Sequence, residues 1–325
     1  MIASKVERVL PRSVTVAGIA VPAGRRRVLE IPAGRLVTGT EMAIPAAVVN
    51  GRRPGPRVWL TGAVHGDELN GVEIVRRVLD RLSPAVLAGC LVAVPIVNIF
   101  GFMEGSRYLP DRRDLNRSFP GSHRGSLAGR LARLIMDHVV ADGDVGIDFH
   151  TGTWHRANVP HVRTDLDDPE GRKLAEAFGA PLMLHARERD GSIRAAAKTL
   201  GKPVLVVEGG EAFRFDAEAI DVGVTGTLRV LQFLGMVEGA PVSTATPTEL
   251  RSSAWVRARR SGVFRLQTGP GERIDAGETL GEIGDTLGGR PTRVRAVAPG
   301  WVIGVQRNPL VNRGDALVNI GYEEE

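Results

Sequence analysis

The chain has 325 residues, 43% hydrophobic content and a formal net charge of +5, and it is long enough for one large α/β domain with a smaller companion. It contains one cysteine, Cys90, so it has no intrachain disulfide framework. No run approaches the roughly 20 apolar residues of a membrane span, and the first residues lack the apolar core of a signal peptide, so we expect a cytoplasmic protein with no membrane partner. Only four of the 42 basic residues are Lys, the Arg residues are spread along the chain and no basic run is interleaved with aromatics, so we expect no nucleic-acid partner.

Residues 1–50 alternate apolar and polar side chains, which is typical of short β-strands, and are interpreted as an N-terminal β extension. From residue 51 to 238 strand-like runs alternate with helix-like ones, which predicts an α/β catalytic domain with a mostly parallel central sheet. The predicted strands are 57–63, 91–97, 145–149, 181–185 and 203–208. The predicted helices are 68–82, 126–140, 169–179, 192–200 and 217–234.

Polar side chains follow three of the predicted strands at their C-terminal ends, the edge at which open α/β sheets bind ligands. His65 follows the first of these strands and has Glu68 three residues later, while His150 follows the run 145–149. Two His and one Glu are enough to hold Zn²⁺ and to leave a coordination position for water. The pattern therefore predicts a metallohydrolase with one zinc ion per chain.

Other ionisable groups near this predicted site allow more than one interpretation. Glu208 ends the apolar run 203–207, where an unpaired charge is costly, so we interpret it as a general base; the alternative is a capping or salt-bridged Glu. Asp148 lies two residues before His150, so on a strand both side chains point to the same face. It either orients the imidazole or has a surface or capping role. His155 is kept as an alternative ligand or a substrate contact.

The segment 107–121 fits neither helical nor strand periodicity and is predicted to be a loop. It is dense in Arg and also contains Asn, and a long loop of this composition on a rigid α/β scaffold is suited to anion binding. The alternative is a solvated surface loop.

Residues 239–250 are rich in Pro, Ser and Thr and predict a linker. The following β module, residues 251–325, contains an internal repeat, which implies two copies of one small β unit packed together. The pattern resembles the barrel-sandwich fold of biotinyl and lipoyl carrier domains, but the hairpin between the repeats, residues 284–290, has no Lys. We therefore expect no carried cofactor, and expect the module to serve assembly into a homo-oligomer or to shield the active-site mouth.

Four segments together resemble the succinylglutamate desuccinylase/aspartoacylase family, within the zinc carboxypeptidase clan. They are residues 65–68, 114–121, 148–152 and 207–210, in the order and at the spacing of that family. The resemblance covers about residues 57 to 235 and implies a zinc-carboxypeptidase-like (phosphorylase/hydrolase-like) α/β domain. It also implies zinc ligands and a general base and acid, which would be His65, Glu68 and His150 for the metal and Glu208 for the proton.

The same resemblance implies the remaining site residues. Asn116 and Arg117 would bind the substrate carboxylate, and Arg194 would be another substrate contact. Arg107 would polarise the scissile carbonyl, with Arg113 competing for that role because the intervening spacer is longer than in aspartoacylase. The implied activity is a zinc-dependent deacylase that hydrolyses the amide bond of an N-acyl amino acid or related small N-acyl amine through a zinc-activated water. The alternatives are a zinc carboxypeptidase acting on short peptides and a non-catalytic binding protein on the same fold.

Overall fold

The computed structural model describes residues 13–243, 246–287, 289 and 291–323. The strands before residue 240 are β1 (Ser13–Val16), β2 (Ile19–Pro22), β3 (Arg25–Arg35), β4 (Glu41–Asn50), β5 (Arg53–Thr61), β6 (Ala88–Val94), β7 (Val145–Gly152), β8 (Arg156–Thr164), β9 (Leu182–His185) and β10 (Val204–Glu211). The helices are α1 (Asn70–Arg81), α2 (Ile99–Glu104), α3 (Leu127–Ile135), α4 (Pro169–Phe178), α5 (Ile193–Lys198) and α6 (Ala217–Phe233). A 3₁₀ turn spans Leu115–Arg117, and a π-helical turn at Met136–Val140 continues α3.

All five predicted helices are present, and four have boundaries within two residues of those expected. The helix predicted to end at residue 140 ends at Ile135, and the π-helical turn continues it to Val140. Capping side chains explain several of these boundaries. The Asp168 carboxylate accepts from the Gly171 amide at the start of α4, Pro169 occupies the first turn, and Gly179 ends the helix with a left-handed φ of 69°. Asp216 caps α6 in the same way, accepting from the Ala219 amide. The apolar period of 3.6 then buries one face of each helix on the sheet.

One mixed sheet of 13 strands forms the centre of the molecule, and its main path runs β3-β4-β6-β5-β7-β10-β8 before it continues into C-terminal strands. The four strands β6, β5, β7 and β10 are mutually parallel, as predicted. The expectation of a mostly parallel sheet is nevertheless wrong for the sheet as a whole, because β8 pairs antiparallel with β10 and the hairpin of β3 and β4 adds antiparallel to β6.

Strand β8 is the main element that the sequence pattern does not predict. It contains Pro160, which lacks an amide hydrogen and so argues against an interior strand. The structure accommodates this residue at an irregularity: the pairing of β10 with β8 shifts register between Glu208↔His161 and Gly210↔Asn158. The bulge places Pro160 where no regular ladder bond is required.

Helices cover both faces of the central strands. Along β5, Trp59 packs into the core beneath α3 and α5, while Val58 and Leu60 pack into the core beneath α1, α4 and α6. This alternation is the period of two expected of a strand that is buried on both faces. The sheet edge that carries the candidate site therefore rests on a packed, rigid base. In the described part of the chain no helix is long and apolar enough to cross a membrane.

The C-terminal strands are β11 (Thr248–Leu250), β12 (Ser252–Arg257), β13 (Gly262–Leu266), β14 (Arg273–Ile274), β15 (Thr279–Gly284), β16 (Thr292–Arg295), β17 (Gly300–Gln306), β18 (Leu310–Val311) and β19 (Ala316–Tyr322). The two sequence repeats correspond to β13–β15 and β17–β19. The short strand of each repeat pairs with a strand of the other repeat: β14 pairs with β17, and β18 pairs with β13.

Strand β17 also pairs with β8, so the C-terminal strands continue the central sheet toward the candidate site. Parts of four predicted segments lie outside the described residues: residues 1–12 of the N-terminal extension, 244–245 of the linker, 288 and 290 of the hairpin between the repeats, and 324–325 at the end of the β module.

Candidate active site

His65, Glu68 and His150 meet at the C-terminal edge of the parallel strands, and all three are at most 6% exposed. His150 lies in β7, whereas His65 and Glu68 lie in the turn between β5 and α1. One oxygen of Glu68 is 2.7 Å from His65 Nδ1, and the other is 2.7 Å from His150 Nδ1. One candidate ligand atom from each of the three residues lies within 4.8 Å of the others.

The outer nitrogens of the two imidazoles contact other carboxylates. His150 Nε2 is 2.8 Å from Asp148, whose second oxygen accepts from the Thr61 hydroxyl at 2.7 Å. His65 Nε2 is 3.2 Å from Asp114. A carboxylate on Nε2 favours the tautomer in which Nδ1 is free to bind a metal. The donor set of two imidazoles and one carboxylate, with the Nδ1 atoms directed inward, fits a catalytic zinc ion.

The electrostatics of this group are dominated by burial and by mutual charge. Burial by itself would lower the pKa of His150, but the carboxylates of Asp148 and Glu68 raise that pKa well above its ordinary value of 6.5. Burial would raise the pKa of Glu68, but His65 and His150 hold it well below its usual range. The centre between the three side chains therefore favours positive charge, supplied by protons or by a metal ion.

Glu208 lies beside this group. It is in β10, paired in register with His150 of β7. Its carboxylate accepts from Asn158 Nδ2 at 3.3 Å and from Arg163 Nη1 at 3.4 Å, and its side chain is 14% exposed. The structure thus brings Glu208 to the same sheet edge as the three candidate metal ligands, held by two donors from β8.

A cavity of about 450 Å³ joins these groups. The other residues proposed from the sequence that line it are Arg107, Asn116, Arg117 and Arg194. Arg113 is not among its lining residues; its side chain is 64% exposed and lies 4.0 Å from Asp111. His155 lies outside the candidate metal group and stacks on Trp154, with ring centroids 4.6 Å apart.

The residues of the predicted loop have distinct contacts. Arg107 reaches Glu68 at 3.2 Å and Asp114 at 3.0 Å, so it lies against the candidate metal group. The Asn116 side-chain oxygen accepts from the Ile193 amide at 3.0 Å, which ties the loop to the start of α5. Outside this loop, Arg194 in α5 is 8% exposed, and its Nη1 has no hydrogen-bond partner among the described residues.

Positive charge is concentrated on one wall of the cavity. Arg117, Arg163, Arg189 and Arg194 all line it. Burial lowers the pKa of Arg189, and repulsion from Arg163 and Arg117 lowers it further. Arg163 has Glu208 as a partner, whereas Arg117, Arg189 and Arg194 form no ion pair within the described residues. Crowded guanidinium groups of this kind are suited to an anionic ligand.

Sequence reasoning missed several residues of the site. Asp114 was visible as part of the loop motif, but its contact with His65 spans 49 positions. Asn158 and Arg163 were missed together with β8. Trp255 and Asn319 line the cavity from the C-terminal strands, and no local pattern signals that placement.

Comparisons with known proteins support the family and the fold. Residues 54–234 match the succinylglutamate desuccinylase/aspartoacylase catalytic domain. Over 295 residues the chain is 30% identical to an N-alpha-acetyl-L-2,4-diaminobutyric acid deacetylase of Halomonas elongata, covering 85% of each chain. A succinylglutamate desuccinylase/aspartoacylase from Rhodobacter sphaeroides superposes with a TM-score of 0.83 at 29% identity, over 97% of this chain and 100% of that one. The product-bound ectoine utilization protein EutE (DoeB) from Ruegeria pomeroyi also gives 0.83, at 26% identity over 93% and 98% of the two chains.

Proposed function

The chain belongs to the succinylglutamate desuccinylase/aspartoacylase family, and from this membership we propose that it is a zinc-dependent deacylase. The proposed reaction is hydrolysis of the amide bond of an N-acyl amino acid or a related small N-acyl amine. The observation that carries the proposal is the meeting of the His65–Glu68–His150 group, Glu208 and several guanidinium groups in one cavity. The name of the Halomonas relative, a deacetylase of an N-acetyl amino acid, supports the same chemistry.

The metal would be held by His65, Glu68 and His150. When bound there, zinc supplies Lewis acidity, which polarises a carbonyl and makes water a stronger acid. Asp148 and Asp114 keep the imidazoles oriented and favour the tautomer with Nδ1 unprotonated. These two carboxylates are thus proposed to position the metal ligands.

Glu208 is the proposed proton carrier. Its carboxylate accepts a proton from the attacking water and donates it to the nitrogen of the breaking amide bond, so that the amine departs neutral. Asn158 and Arg163 restrict the orientation of this carboxylate through the hydrogen bonds that they donate. Because Glu208 of β10 pairs with His150 of β7, its carboxylate lies beside the proposed metal ligands.

The Arg side chains have two proposed tasks. Arg107, in contact with Glu68 and Asp114, is proposed to stabilise the negative charge that develops on the carbonyl oxygen. Asn116 and Arg117 are proposed to bind the substrate carboxylate, since a planar guanidinium group binds carboxylates through two parallel hydrogen bonds. Arg194, with its unpartnered Nη1, would supply a further donor.

The shape of the cavity favours this activity over the carboxypeptidase alternative. A peptide substrate requires a cleft that stays open beyond the scissile bond. Here Ser253, Trp255, Ile303 and Asn319 of the C-terminal strands wall the cavity on one side. A volume of about 450 Å³ suits a small molecule better than a peptide.

The test is a substrate screen of the purified, zinc-loaded protein. N-acyl amino acids with different acyl groups and short peptides would be compared by the release of free amine. We expect turnover of N-acyl amino acids that is lost in Glu208→Gln protein of equal zinc content. A higher kcat/KM for peptides would favour the carboxypeptidase, and no turnover of any compound by fully loaded protein would favour a binding protein.

A further inference from the structure

A second cavity, of about 310 Å³, lies among the C-terminal strands, and it separates two sheet edges. Strand β12 is a terminal strand of the 13-stranded sheet, and β16 is a terminal strand of a separate sheet of four strands. Residues 254–257 of β12 and residues 292–295 of β16 line the cavity. These two stretches and the space between them are named the edge groove.

The lining pattern shows that the groove follows the edges of the strands. Consecutive side chains on a strand point to opposite faces. A cavity over one face would therefore contact every second residue, whereas here four consecutive residues of each strand border it. Such an edge presents backbone N–H and C=O groups for pairing. Within the described residues, β12 pairs only with β19, and β16 only with β15.

The groove is strongly basic. Arg257, Arg259, Arg293 and Arg295 line it, and all four are exposed. Arg293 lies 3.4 Å from Glu282, while the other three have no ion pair in the described part of the chain. Charged side chains on edge strands also discourage aggregation, but that role does not require a cavity enclosed by two edges.

The two faces of β16 differ in chemistry. The register Glu282↔Arg293 and Ile283↔Thr292 places Arg293 and Arg295 on one face, and Val294 with Ile283 on the other. A strand added beside β16 would therefore place alternate side chains against Arg and against aliphatic groups. The matching sequence alternates acidic and β-branched residues.

We propose that the edge groove binds an acidic, extended peptide segment of another protein by β-augmentation, in which the segment adds a strand to an exposed sheet edge. The positive charge of the Arg side chains that line the groove favours acidic side chains in the ligand. The backbone N–H and C=O groups at the edges of β12 and β16, which have no pairing strand on that side, favour a peptide. A nucleic acid fits less well, because its phosphates accept hydrogen bonds but offer no donors for the exposed carbonyl groups. Four residues of β16 extend roughly 13 Å, so a segment of about four to six residues is sufficient.

Trp255 connects the groove to the candidate active site. It lines both cavities, and the Arg156 guanidinium lies 4.9 Å from the centroid of its indole ring. Occupation of the groove would therefore alter the surroundings of this indole. The fluorescence of this indole reports binding without any enzymatic activity. Peptide binding to the groove can therefore be tested independently of the proposed deacylase activity.

The experiment uses the full chain and a fluorescein-labelled peptide of three Glu-Val repeats, followed by fluorescence anisotropy. The variant is Arg259→Ser/Arg295→Ser. Its matched control is Arg273→Ser/Arg313→Ser, which removes the same charge from exposed positions of the C-terminal strands outside the groove. Two further probes are the same peptide with alternate backbone nitrogens methylated and a thymidine oligonucleotide of equal charge.

We expect saturable binding that weakens at least about tenfold in Arg259→Ser/Arg295→Ser and is unchanged in the control. The methylated peptide should also bind at least about tenfold more weakly, since it cannot donate the strand hydrogen bonds. A change in indole emission on binding should disappear in Trp255→Phe protein while the anisotropy signal persists. The proposal is overturned if the peptide does not saturate, if the methylated peptide binds equally well, or if the oligonucleotide competes with equal affinity.

Discussion

Glu208 and His150 are paired residues of two adjacent parallel strands, β10 and β7. The register places a proposed proton carrier next to a proposed metal ligand, although 58 positions separate them in the sequence. Glu208 has its own hydrogen-bond donors, Asn158 and Arg163, and its carboxylate is not part of the His65–Glu68–His150 group. Proton transfer and metal binding are therefore separable by mutation.

The first prediction concerns Glu208→Gln. The amide keeps the shape of the side chain and an acceptor oxygen for Asn158 or Arg163, but it does not accept a proton from water. We expect unchanged zinc content and a fall in kcat of about 10² to 10⁴, the usual contribution of a positioned base. Zinc would be measured by elemental analysis and kcat by amine release. Turnover near that of the wild type in zinc-replete protein would reject the role.

A second prediction concerns the metal ligands. His65→Ala and His150→Ala each remove one of three protein donors, so we expect loss of zinc retention and of activity. The fold should persist, because the cores on both faces of the sheet lie outside this group. The matched control is His155→Ala, which removes an imidazole that is not part of the group. Full zinc occupancy in either ligand variant would contradict the assignment.

A third prediction isolates the role of Asp148, which contacts His150 Nε2 at 2.8 Å and Thr61 at 2.7 Å. Asp148→Asn retains the size of the side chain but removes the charge that orients the imidazole. Loss of such a partner typically costs about 10- to 100-fold in metal affinity. Titration against a competing chelator measures this loss, and Asp142→Asn serves as an exposed control. Equal zinc affinity in Asp148→Asn and Asp142→Asn would contradict a positioning role for Asp148.

The fourth prediction is a pH dependence of zinc binding. In the metal-free protein, burial opposes protonation of His150, but Asp148 and Glu68 raise its pKa well above 6.5. Zinc requires neutral imidazole, so protons compete with the metal and are released when it binds. Apparent affinity should therefore rise with pH, and the rise should continue above 6.5. Calorimetry in buffers of different ionisation enthalpy would detect the released protons; affinity that is constant above pH 6.5 would contradict the raised pKa.

Local patterns predict the parts of the site that depend on local sequence. The apolar runs before His65, His150 and Glu208 predict strands, and the common edge of parallel strands predicts that these side chains meet. The helices follow from their period and from caps such as Asp168. Each of these inferences depends on a few neighbouring residues and on one general rule of α/β sheets.

The remaining features depend on contacts between distant segments. Strand β8 escapes prediction because Pro160 is tolerated only at a bulge, which the partner strand β10 helps to form. Trp255 and Asn319 reach the cavity only because β17 adds to β8 and extends the sheet. The orienting contact of Asp114 with His65 also joins two loops. A sequence pattern fixes none of these pairings, because each is selected by packing across the sheet.

The last prediction concerns Arg117 and the substrate carboxylate. Arg117 and Arg113 are both exposed, but Arg117 lines the cavity and Arg113, four residues earlier, does not. Arg117→Ala should lower kcat/KM for an N-acyl amino acid by about 10- to 100-fold, because a hydrogen bond to a charged group contributes about 1.5–3 kcal/mol. Arg117→Lys should lose less, since it keeps the charge but not the planar pair of donors. Arg113→Ala is the control and should leave kcat/KM unchanged.

Amidation of the substrate carboxylate completes the comparison as a double-mutant cycle. In the wild-type protein amidation should cause a loss similar to that of Arg117→Ala, because the guanidinium group is left without its anionic partner. In Arg117→Ala protein it should add little, since the interaction is already absent. Equal losses from amidation in both proteins would show that another group binds the carboxylate. Arg194, whose buried Nη1 has no partner among the described residues, would then be the next residue to replace.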